Sequence, residues 1–134
     1  MATEGPFALR DGTRVAGADL STHQYKFIKL DSAGAVVICA AASDRPYGVL
    51  QNAPASGEEA DVLLVGFSKV SADAALAIGI EIGTSADGQA DAKVRGTDLA
   101  EYIAGQVIEA SGAAAEIIRC SINTVAMPTA AAVA

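Results

Sequence analysis

The chain has 134 residues, enough for one domain, and carries a formal net charge of −7 with a pI near 4.5. Its nine Lys and Arg are scattered, whereas nucleic-acid binding rests on clustered cations that neutralise phosphates, so a DNA or RNA partner is excluded and an anionic membrane surface is disfavoured. With no Trp, three Phe and three Tyr, the core is Ala-rich and thin, gaining roughly 25 cal/mol per Å² of apolar area buried, and a core of this kind leans on a partner or on self-association.

Residues 1–20 read as an N-terminal arm. Gly5, Pro6, Gly12 and Gly17 interrupt any regular pattern, and Phe7 and Leu9 are the sizeable apolar anchors before Val15. The stretch is either an ordinary edge strand or disordered leader, or a segment that orders on a partner by strand addition. It has neither the basic nor the apolar region of a secretory signal. The longest apolar run, residues 35–42, falls far short of the roughly 20 residues that a membrane helix needs. The chain is therefore expected in the cytoplasm of the cell that makes it, or outside that cell after lysis.

Residues 21–124 read as one β-rich domain. Residues 24–30 (QYKFIKL) are strand formers, 31–34 are turn residues, and 35–39 (AVVIC) form the return strand of a hairpin. Residues 47–51 are a short strand and 52–57 a loop. Residues 61–68 are apolar at both parities, as in a strand covered on both faces. Residues 71–77 fit either a short helix capped by Ser71 or a loop between strands. Ile78, Ile80 and Ile82 recur with period two, predicting a half-buried strand. Asp87-Gly88 marks a hairpin turn into a strand at 90–94. Residues 97–102 allow one helical turn, with Asp98 and Glu101 spaced as a capping box.

The last hairpin pairs residues 105–110 with 116–124. Along the second of these, Ile118, Cys120 and Ile122 share one face, and Arg119, Ser121 and Asn123 the other. Residues 125–134 are a small-residue tail. The expected fold class is mainly β, a single antiparallel sandwich or barrel-like domain with at most one or two short helices.

The residues offer little chemistry. His23 has no orienting third group near it in sequence, so it reads as a satisfied or exposed surface histidine. Glu58, Glu59 and Asp61 read as a solvated acidic turn, with an opportunistic cation site as the lesser reading. Asp87 and Asp91 belong to a hairpin without the ligand set of a calcium loop. The glycines form no phosphate loop. Cys39 and Cys120 lack metal-ligand spacing and read as two buried free thiols, a disulfide being the minor alternative. A non-enzyme with no catalytic residue, cofactor or metal is expected.

The segment Gly48-Val49-Leu50-Gln51-Asn52-Ala53-Pro54-Ala55-Ser56-Gly57-Glu58, followed by an apolar strand ending at Lys69-Val70, resembles the phage capsid cement, or head decoration, proteins. Ile80 to Gly83, the turn at 86–89, and the strands at 105–110 and 116–122 extend the resemblance over about residues 20–124. It implies a β-rich virion protein that binds the outside of the phage capsid, contacts the major capsid protein, bridges capsomers and forms a homo-oligomer, commonly a trimer. Phe7, Leu9, Asn52, Pro54 and Glu58 are the candidate capsid contacts, chosen by position. Gly48 and Pro54 also have shape-holding roles. The alternatives are a small-ligand or carbohydrate-binding β module, or another minor virion subunit.

Overall fold

The computed structural model describes residues 8–131. Among them there are nine strands and no helix: β1 (Leu9–Val15), β2 (Phe27–Leu30), β3 (Val36–Ile38), β4 (Gly48–Leu50), β5 (Glu59–Ser71), β6 (Glu81–Thr84), β7 (Ala90–Ala92), β8 (Gly105–Val107) and β9 (Ile117–Asn123). Every ladder is antiparallel. The strand order is β3-β2-β4-β5-β9-β8-β6-β7, with β1 paired to β5 off this path. The mainly β expectation holds.

β5 is the spine. Its first half pairs with β1 and β4 and its second half with β9. Adjacent residues in this strand enter different cores, because successive side chains point to opposite faces. Leu63 joins the larger cluster with Phe27, Val49, Ile82, Val107, Cys120 and Ile122. Val62 joins a smaller one with Ala16, Leu20, Ile28, Val36 and Leu50. The two covers meet at Val62 and Leu63; beyond them Leu64 and Val65 are half-buried and Phe67 is exposed, so the expectation of a strand covered on both faces over residues 61–68 holds only in its first part.

The sheet curls until its distant parts meet. The Phe27 amide donates to the Gly88 carbonyl (2.7 Å), and Asp73 donates to Ala90 (2.8 Å). The turn after β6 thereby packs on the β2–β3 hairpin, and the sheet curls into a half-barrel. At Gly88 φ is +75°, and an added Cβ would lie 2.4 Å from Ile38 Cδ1, so both conformation and space require glycine there.

Several expectations are corrected. Residues 71–77 take the loop alternative and not the helix: Ser71 ends β5, and the Leu76 amide bonds the Ser111 carbonyl and hydroxyl. Residues 97–102 form turns. Glu101 reaches Lys93 and the Asp98 carboxylate accepts from the Val94 amide, so the capping-box carboxylates serve tertiary contacts. Ile78 and Ile80 are exposed, 69% and 38%, and only Ile82 is buried, because the Ile80 amide turns back to Ala77 before β6 begins. The strand in residues 24–30 starts only at Phe27, since Tyr25 has φ 65°.

Residues 9–15 form a true edge strand, and Ala16 and Leu20 behind it are core residues. Residues 128–130 are also tied in. Ala130 is fully buried and hydrogen-bonded to Glu101, and the Pro128 carbonyl accepts from Ile103.

Candidate interaction surface

The candidate contacts do not form one patch. Phe7 lies outside the described residues. Leu9 sits opposite Val65 and is 42% exposed, while Val15, at the other end of β1, sits opposite Glu59 beside the β4–β5 loop. Six residues of strand separate Leu9 from that end, roughly 20 Å.

The β4–β5 loop is built from internal hydrogen bonds. Asn52 donates from Nδ2 to the Glu59 carbonyl (2.9 Å) and accepts from the Asp61 amide at Oδ1 (3.0 Å). Pro54 is buried, and its carbonyl accepts from Leu20. The Glu58 carboxylate accepts from the Ala55 amide (2.6 Å). The Ala16 amide donates to the Glu58 carbonyl and the Gly57 amide to the Ala16 carbonyl, pinning the loop beside the second core cluster. Asn52 and Pro54 therefore hold shape. So does Gly48, where a Cβ would stand 2.5 Å from the Leu63 carbonyl oxygen. What the loop presents outward is the acidic edge of Glu58 and Glu59, flanking a depression of about 570 Å³.

The titratable groups of the described residues are largely spent on structure. The Asp11 carboxylate accepts from the Thr13 amide and hydroxyl, the Tyr47 hydroxyl and Arg14 Nε. The Thr13 hydroxyl first, and Tyr47 next, hold its pKa well below the ordinary carboxylate value. Lys93 is fully buried, donates to the Thr84 carbonyl (2.8 Å) and is paired with Glu101 and Asp91. Asp61 pairs with Arg10 (2.9 Å), and Glu81 takes Arg95 at both carboxylate oxygens. His23 lies 3.4 Å from Lys26 Nζ, and burial lowers its pKa. The Cys39 and Cys120 thiols are buried and free, and desolvation pushes each up to about 12.

A second surface was missed by the sequence reading. The outward face of β5 and β9 carries Phe67, Lys69, Ile117 and Arg119; Phe67 is 51% and Ile117 50% exposed. Arg119 stacks over the Phe67 ring, 4.5 Å from its centroid. The outward half of the β9 alternation (Arg119, Ser121, Asn123), set against the run Gly66-Phe67-Ser68-Lys69, is the signal that contained it.

No family model matches the chain, and no curated protein matches it. Among solved structures, the chain is similar to the crystal structure of the head fiber gp8.5 N base in bacteriophage phi29. The TM-score is 0.64 at 16% identity, over 88% of this chain and 96% of that one. At that identity the likeness establishes a shared fold, and it spans nearly the whole of both chains.

Proposed function

We propose that this chain is a structural protein of a phage head, held on the outer surface of the capsid through the major capsid protein. The observation that carries this reading is the near end-to-end fold likeness to the base of a phage head fiber. The resemblance of residues 48–58 to capsid cement proteins supports the same setting from the sequence. On this reading the chain works by binding and not by catalysis. Copies are joined to one another as a trimer, and individually weak contacts gain strength through effective concentration. A protein that bridges capsomers adds contacts that must break before the shell opens.

The fold neighbour favours a second form of the same reading, in which the domain is the footing of a surface projection. Co-sedimentation of the purified chain with empty heads of the phage that encodes it tests the proposal. Saturable binding supports it. Heads that pellet without the chain at any ratio overturn both forms.

A further inference from the structure

The β5–β9 face sets two cations side by side, without an ion pair among the described residues. Lys69 and Arg119 are register partners, so two cations stand directly opposed, with Cβ atoms about 5 Å apart, an arrangement that destabilises a sheet. Arg10, Arg14, Lys29, Lys93 and Arg95 each meet a carboxylate, whereas Lys26 and Arg45, which lie singly elsewhere, meet none among the described residues. Lys69 and Arg119 form no ion pair among the described residues. Glu109 borders the same groove of about 380 Å³ without pairing to either. Each cation instead covers an aromatic ring: Arg119 lies over Phe67, and Lys69 lies 5.7 Å from the centroid of Tyr25. Tyr25 holds a left-handed φ of 65°, a costly conformation for a residue with a Cβ.

We propose that this cationic, aromatic face docks a second copy of the chain, which meets it with the acidic Glu58–Glu59 edge of its β4–β5 loop. The chain carries 16 acidic residues against nine basic ones, so a second copy supplies the complementary charge. Glu58 and Glu59 are exposed and form no ion pair among the described residues, and the depression beside them offers room for an aromatic ring. Glu59 and Phe67 are eight residues apart on β5, roughly 26 Å of strand, so one copy cannot bring its own loop onto its own face. Two unlike patches make a head-to-tail contact, which closes into a ring when its rotation permits.

Sedimentation equilibrium on the full chain, at low and at high salt, tests this. Wild-type chains associate with rising concentration, less so at high salt. Arg119→Glu weakens association by at least roughly tenfold, as does the double change Glu58→Lys with Glu59→Lys, because each sets like charges face to face. An equimolar mixture of the two variants regains association, since the reversed face of one meets the reversed loop of the other. Arg119→Glu keeps or raises the thermal midpoint of the monomer, having removed a like-charge pair. A wild-type chain that stays monomeric overturns the proposal. So does an Arg119→Glu variant that associates as wild type, or a mixture that stays apart.

Discussion

The backbone amide of Phe27 donates a 2.7 Å hydrogen bond to the carbonyl oxygen of Gly88, joining two residues 61 positions apart in sequence. This contact holds the curl of the sheet, bringing the turn after β6 against the β2–β3 hairpin. Gly88→Ala is therefore predicted to destabilise the fold by about 1–3 kcal/mol, through the left-handed φ and the crowding against Ile38. A urea melt measures it. A midpoint equal to wild type would show that the turn does not hold the curl of the sheet.

The Asp11 cluster gives the fold a defined acid dependence. The folded carboxylate titrates well below its ordinary value of 3.8, so its contribution is fully present above that value and is lost as pH falls toward the folded pKa. Asp11→Asn should lower the thermal midpoint at neutral pH and flatten the decline of the midpoint with acid below pH 4. The melting temperature followed from neutral pH down into the acid range checks this. Parallel curves for variant and wild type would remove Asp11 as the source.

The buried Lys93 ammonium predicts an asymmetry between its partners. Glu101→Ala leaves a buried charge short of its main acceptor and should cost about 2 kcal/mol or more. Lys93→Met removes the fully buried charge and leaves the carboxylates of Glu101 and Asp91, which are partly exposed to water, so it should cost less. Paired chemical denaturation curves decide it, and the reverse order would contradict the assignment.

Cys39 and Cys120 are fully buried, with thiols pushed up to about 12. Because the thiolate is the reactive form, neither should label with an aromatic disulfide reagent in the native state, and both should label in denaturant. Stoichiometric native labelling would show an opening of the core that this packing does not allow.

Strand identity was legible where one face alone decided it. The alternation of Ile118, Cys120 and Ile122 in β9 matches the burial found there. The two-sided cover expected of residues 61–68 exists only at Val62 and Leu63, and Phe67 lies half-exposed on the outward face. What the sequence concealed depends on partners distant along the chain. Nothing local to Ile80 shows that the chain turns back to Ala77. Nothing near Glu101 announces a buried lysine eight residues earlier. Of the candidate surface, the Asn52–Glu58 loop was located but its purpose was not, since Asn52 and Pro54 spend their polar groups inside the fold. The Phe67–Arg119 stack was invisible, because it exists only once β5 and β9 are in register.

A head-associated structural role is tested most directly by electron cryo-microscopy of phage heads with and without the chain. The difference map should show added density of this domain's size on the outer capsid surface, repeated at symmetry-related positions. Density confined to the interior or to the tail, or maps that do not differ, would contradict that role.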